Sequence, residues 1–298
     1  MLYVLGNITE DLLLRVPRLP ADGETLIASE RRADLGGKGL NQAVIAARAG
    51  MSVRLIAPVG ADETAGRAEA LARSERIEFF APKTAPTSDQ SVILVDPAGR
   101  NIIVSSATAA SALQPDAARE ALDELSARDA LIMQGNLSRA TTEAALSLAR
   151  DRGAPTILNP SPIQWAFDGL WPLVTTAIFN LGELIELSGA SDAAAGIATL
   201  RAAGPSEIVV TLGPDGAHIA TGCGTHEVGA APATVVDTAG AGDTFAGVYI
   251  AARAHGLPAA VAGAAAARAA ALTVARHGTH AAFPSAVELA AILEETPR

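Results

Sequence analysis

A single cysteine, Cys223, occurs in 298 residues, which excludes an intramolecular disulfide framework and any multi-cysteine metal site. A reducing, cytoplasmic address is the simplest reading. Aromatic residues make up 3% of the chain while apolar residues reach 49%, so a core must come mainly from Ala, Val, Leu and Ile, as in helices packed closely on a sheet. No Lys/Arg-rich run occurs, and 22 basic against 32 acidic residues leave a net charge of −10, so nucleic acid is not expected as a partner. Long apolar runs are scarce too. The one membrane candidate, Ala259–Ala275, is interrupted by Arg268 and rich in weakly lipophilic alanine, so it reads as a buried helix and no membrane is expected. Met1–Asn7 lacks the basic-then-apolar layout of a secretory signal. His218, His226, His255, His277 and His280 have neither the spacing nor the companions of a metal site. Cys223 reads as a small buried or edge residue, and Trp165 and Trp171 as packing.

What is present is a rhythm. Apolar runs at Leu2–Leu5, Arg54–Pro58, Ala130–Met133, Pro155–Leu158, Thr176–Phe179 and Glu207–Thr211 alternate with helix-like segments at Lys38–Ala49, Glu63–Arg73, Pro115–Ser126, Thr141–Arg152 and Asp192–Ala203. That alternation predicts an α/β fold with a largely parallel sheet covered on both faces. Two segments break it: residues 12–34, with Pro17, Pro20 and Asp22-Gly23, and residues 90–106, a predicted hairpin turning at Asp96-Pro97-Ala98-Gly99. Strands inserted between βα units predict a small β lid outside the main sheet.

Two glycine turns carry the chemistry. Asp237-Thr238-Ala239-Gly240-Ala241-Gly242-Asp243-Thr244 delivers a helix N-terminus whose unpaired N–H groups and dipole suit an anion, with Asp243 at the helix start. Leu35-Gly36-Gly37-Lys38-Gly39-Leu40-Asn41-Gln42-Ala43 repeats the device and offers Lys38 and Asn41 as partners for a polyhydroxy ligand. It is not a Walker A loop, because Arg32 and Gly39 stand where a Gly and a hydroxyl residue are required. No Gly-x-Gly-x-x-Gly follows the first strand either, since Gly6 leads into Asn7-Ile8-Thr9-Glu10, which weakens a dehydrogenase reading.

Together these segments resemble the two signature regions of the ribokinase-like (PfkB) carbohydrate kinase family, most closely its ribokinase branch. The resemblance spans essentially the whole chain. Further matching pieces are Gly6–Asp11, Asp22-Gly23-Glu24-Thr25, Val59-Gly60-Ala61-Asp62, Asn159-Pro160-Ser161-Pro162, Asn180-Leu181-Gly182-Glu183 and Thr211-Leu212-Gly213-Pro214-Asp215-Gly216. It implies one kinase domain over residues 1–298 with a three-layer ribokinase-like fold: a central, mostly parallel sheet, helices on both faces and a β lid from about 12–34 and 90–106. It also implies ATP and Mg²⁺, with K⁺ as a monovalent activator. By the same resemblance Asp243 is the catalytic base, and Gly240, Ala241 and Gly242 line the anion hole. Thr9, Asp11, Gly37, Lys38, Asn41 and Asn136 fall at the acceptor, while Asn180, Thr211, Gly213, Gly216 and Gly242 fall at the nucleotide. Glu183 falls where Mg²⁺ is positioned through water. Asp237, with carbonyls at Ala239, Thr273, Arg276 and Gly278, falls at the monovalent cation.

Three positions depart from the ribokinase pattern. Thr9 replaces an Asn, Asn136 replaces a Glu, and Ala282 replaces a Ser that helps ligate the cation. The expected reaction is ATP-dependent phosphorylation of a sugar-like primary hydroxyl, ribose first, with fructose, a nucleoside or a ketodeoxy sugar acid as alternatives. From another class, a silent sugar- or nucleotide-binding protein on the same fold is the rival. An exposed lid has edges worth covering, so a homodimer through it is expected.

Overall fold

A computed structural model describes residues 1–295. From the N-terminus the chain runs β1 (Leu2–Leu5), β2 (Thr9–Arg15), β3 (Glu30–Gly36), α1 (Lys38–Arg48), β4 (Val53–Ile56), α2 (Glu63–Ser74), β5 (Glu78–Phe80), β6 (Asp89–Val95) and β7 (Asn101–Ser105). It continues through α3 (Thr108–Ser111), α4 (Pro115–Ala121), β8 (Ala130–Gln134), α5 (Arg139–Asp151), β9 (Thr156–Asn159), β10 (Thr176–Asn180), α6 (Leu181–Ser188) and α7 (Ala193–Ala203). The last third holds β11 (Glu207–Thr211), β12 (Ala217–Thr221), β13 (Gly224–Val228), α8 (Ala241–Ala254), α9 (Ala259–Val274) and α10 (Ala286–Glu294).

Among the described residues nine strands form the main sheet in the order β13-β12-β11-β10-β9-β8-β1-β4-β5. From β11 to β5 the neighbours are parallel, and β12 and β13 close one edge as an antiparallel hairpin. Alternation along each strand sends side chains to opposite faces. On β1, Leu2 and Val4 join the core under α1, α8 and α9, whereas Tyr3 and Leu5 join the core under α4 and α5. This is the three-layer α/β architecture the sequence predicts. With few aromatics, the helices approach through small residues: a Cβ on Gly247 of α8 would stand 2.6 Å from Ile45 Cγ2 of α1, and one on Gly263 of α9 2.3 Å from Ile219 Cδ1.

Four strands lie apart in a second sheet ordered β3-β2-β6-β7. They begin earlier than the segment 12–34 marked by the sequence, because Thr9 and Asp11 ladder with Gly36 and Asp34; most of 16–29 is irregular. The helix expected over Pro115–Ser126 stops at Ala121. Arg152 takes the carbonyls of Leu122 (2.6 Å) and Leu125 (3.1 Å), drawing the chain out of helical register. The Ala-rich stretch forms α9, and among the described residues no helix is long and apolar enough to cross a membrane. Cys223 is exposed in the turn between β12 and β13, at the edge of the main sheet, so the edge reading holds and the buried one does not.

Candidate active site

Two helices begin side by side. α1 opens at Gly37, which has φ 96°, and α8 opens at Gly240, which has φ 74°; such values favour glycine. Asp243 is the third residue of α8 and only 5% exposed. A buried carboxylate needs donors on both oxygens. α1 supplies them from Lys38 Nζ (3.4 Å to Oδ1), Gln42 Nε2 (3.0 Å to Oδ1) and Asn41 Nδ2 (2.9 Å to Oδ2). Those three donors are spaced to share one side of a helix. Behind them runs a buried amide chain: Gln134 Nε2 donates to Gln42 Oε1 (2.8 Å), and Gln42 Nε2 is also within 3.1 Å of Asn159 Oδ1. His280 Nε2 lies 3.0 Å from Asn41 Oδ1. Burial, with Arg48 adding to it, lowers the His280 pKa to about 4, so the ring is neutral at physiological pH.

The second sheet brings Asp11 to the same place. Its Oδ1 accepts from Thr9 Oγ1 at 2.6 Å, and its carboxyl occupies the space a Cβ on Gly36 would need, 1.9 Å from Oδ2. Burial raises the Asp11 pKa to about 6 against the bonds from Thr9 and Ser91, with Asp243 and Asp34 adding repulsion. Asn136, after β8, keeps a buried Oδ1 without a partner, as does the Gln134 Oε1 that faces Gly6.

On the other side of Asp243 the first turn of α8 is open. Gly242 and Asp243 precede the first intrahelical bond, Thr244 N to Gly240 O (2.8 Å), so their N–H groups are available to an anion. Gly242 and Ala241 line a cavity of about 580 Å³ that also includes Thr211, Gly213, Gly216, Phe245, Ala267 and Val274. A second cavity of about 640 Å³ shares Thr211 and Gly213 and reaches Asn180. Asn180 and Glu183 meet as a reciprocal cap on α6, Glu183 N donating to Asn180 Oδ1 (2.8 Å) and Asn180 N to Glu183 Oε2 (2.9 Å).

A family model described as pfkB family carbohydrate kinase matches residues 1–286. The chain belongs to that family. Among curated relatives it is 32% identical to the ribokinase of Mus musculus over 82% of this chain and 79% of that protein. The ribokinase of Bacillus subtilis is 29% identical over 97% of this chain and 98% of that protein. A solved ribokinase from Cryptococcus neoformans var. grubii serotype A, in complex with ADP, superposes with a TM-score of 0.82 at 26% identity over 98% of each chain.

Within this carbohydrate kinase, Lys38, Asn41 and Asp243 are in direct contact, and Thr9 and Asp11 are bonded to each other. Gly37 packs against the backbone of Asn7, Ile8 and Thr9. Glu183 stands apart, engaged in its cap. Where the sequence resemblance implies a cation, Asp237 accepts from Ala239 N (3.0 Å) and Gly278 N (3.3 Å), drawing two of the expected carbonyl-bearing segments together. Thr273 is buried against Thr244 (2.9 Å), and Arg276 pairs with Glu288. Gln42, Gln134, Asn159 and His280 were given no role by sequence reasoning. Gln42 follows Asn41 within the glycine motif, a signal that was legible; nothing local marks His280.

Proposed function

We propose that this carbohydrate kinase transfers the γ-phosphoryl group of ATP to the primary hydroxyl of ribose, giving ribose 5-phosphate and ADP. The observation that carries the reading is Asp243, a buried carboxylate held by Lys38, Asn41 and Gln42 and next in the chain to Gly242, which lines the cavity of about 580 Å³. Sugar hydroxyls would be held by Asp11, Thr9, Lys38, Asn41 and the backbone of Gly37, with Asn136 at the rim. Asp243 accepts the hydroxyl proton as the oxygen attacks phosphorus, and the Gly240-Ala241-Gly242 turn stabilises charge on the migrating group. Apolar α9 residues Ala267, Ala270, Ala271 and Val274 form a slot for the base, while Thr211, Gly213, Gly216 and Asn180 approach the phosphates.

Mg²⁺ would neutralise phosphate charge. Among the described residues no group of three His, Cys, Asp or Glu could hold a metal ion by itself; Mg²⁺ would be held by phosphates and water, with Glu183 reached through water. K⁺ would sit with Asp237 and the carbonyls of Ala239, Thr273, Arg276 and Gly278; Ala282, fully buried, offers no side-chain oxygen. Turnover should therefore rise with K⁺ over a bulky organic cation at equal ionic strength, and equal rates would remove the cation from the scheme.

The second sheet serves as the lid over the sugar. Its outer strand β7 exposes Ile103 (56%) and Val104 (66%), so lids of two copies pairing into a homodimer is the partner reading, refuted by a monomeric mass at micromolar concentration. The acceptor is tested by ADP release with ribose, fructose, a nucleoside and a ketodeoxy sugar acid. No release with any of them would leave a silent binding protein. Because Asn136 both donates and accepts, Asn136→Glu should raise the kcat/KM preference for ribose by about ten- to a hundredfold, and a fall would reverse that reading of the rim.

A further inference from the structure

The loop after α9 places His280 behind the base rather than in front of it. His280 Nε2 is 3.0 Å from Asn41 Oδ1, and Asn41 Nδ2 is 2.9 Å from Asp243 Oδ2. An amide oxygen only accepts, so the imidazole must present Nε2–H to it. A side-chain amide has two orientations of nearly equal shape, and only one of them aims N–H at the carboxylate. Turned over, Asn41 would set its oxygen against Asp243 and its NH₂ against the imidazole N–H. The first contact would be repulsive outright, and the second for as long as the imidazole keeps its proton on Nε2.

The imidazole is itself held. Its ring meets the Phe283 ring at 5.4 Å in an edge-on arrangement, and Phe283 also fills the space beside Gly240. Arg48 Nη1 donates to the carbonyls of Phe283 (3.3 Å) and Pro284 (3.3 Å) while its Nη2 pairs with Glu75 (2.5 Å). The loop is thereby pinned to α1, the helix that carries Asn41. With one Nδ2 proton on Asp243, the other stays free for the acceptor hydroxyl, so a single orientation serves both base and sugar.

We propose that His280 is a positioning residue for phosphoryl transfer, locking the Asn41 amide so that it donates to Asp243. This rests on the assignment of Asp243 as base. The test is a double-mutant cycle, using whichever sugar of the acceptor panel turns over, with melting temperatures measured alongside. His280→Ala should lower kcat by about tenfold, the scale of one lost hydrogen bond in a site, and leave the ATP KM unchanged. In an Asn41→Ala background the same change should cost less than about twofold, because the group it positions is gone. His280→Gln, whose amide N–H can reach the same oxygen, should recover activity to within about threefold of wild type. Equal losses in both backgrounds, or a Gln variant as impaired as the Ala one, would overturn the proposal. Nitrogen-15 NMR of the acceptor-free protein tests it without turnover: the Nε2–H tautomer is expected, and the Nδ1–H tautomer would sink it. Failure of ribose to turn over would count against the ribokinase reading alone.

Discussion

At the turn before α1, a Cβ on Gly37 would fall 2.8 Å from Asn7 O and 2.9 Å from Thr9 N, and one on Gly39 would fall 2.6 Å from Asn7 N. At the turn before α8, a Cβ on Gly240 would meet the Phe283 ring at 2.5 Å, whereas one on Gly242 would meet nothing within 4 Å. Both turns deliver a helix N-terminus, but glycine serves different ends. In the first it lets backbone pack on backbone, so that α1 can present the side chains of Lys38, Asn41 and Gln42. In the second it leaves the backbone uncovered, which is what an anion needs. In the proposed function the sugar half would be built from side chains on a packed turn, and the phosphate half from an open one.

The largest break in this comparison should come from Asp243, where the halves meet. Asp243→Asn keeps the shape but turns one acceptor oxygen into an NH₂ facing donors from α1, so melting should fall by a few degrees while kcat falls by about a hundredfold to ten-thousandfold, the scale of a lost base. A variant keeping a third of wild-type turnover would remove the base assignment. Glycine substitutions separate the turns themselves. Gly242→Ala should cost less than about 0.5 kcal/mol of stability yet lower kcat by about tenfold or more by crowding the anion. Gly37→Ala, strained at φ 96° and against backbone, should lose about 2 kcal/mol or more in denaturant unfolding. Equal stability losses would erase the distinction between the turns.

The smallest effect is a pH dependence confined to the sugar half. Asp11 titrates at about 6 when folded against about 3.8 ordinarily. The native state therefore binds its proton more tightly than the unfolded chain, so this residue's ionisation weakens the fold as pH rises from about 4 through 6. Sugar binding has the opposite sign, since only the carboxylate accepts from two hydroxyls. The sugar KM should rise severalfold as pH falls from 7 to 5.5 while the ATP KM stays level. A sugar KM that is flat over that range would separate Asp11 from the acceptor.

Much of this was legible in the chain. The alternation of apolar runs with Gly- and Pro-punctuated polar segments gave the α/β order, because strand and helix periodicities are local. The glycine turns marked both helix starts, and Thr9, Asp11, Lys38, Asn41 and Asp243 stood out through their motifs. Less legible were the extent of α4, cut short by Arg152 just past α5, and the early start of the second sheet, set by a ladder to Gly36. Glu183 was assigned from its motif, yet its carboxylate caps α6; an Asn and a Glu three residues apart also read as a helix cap.

Sequence by itself determined which segments become strands and helices, which glycines must bend the chain, and that a carboxylate opens α8. Tertiary structure alone decided what surrounds that carboxylate. Gln42 meets Asp243 across 201 residues, Gln134 meets Gln42 across 92, and His280 meets Asn41 across 239. Periodicity and turn chemistry act over a few residues, whereas a buried charge must recruit its donors from wherever the folded chain brings them.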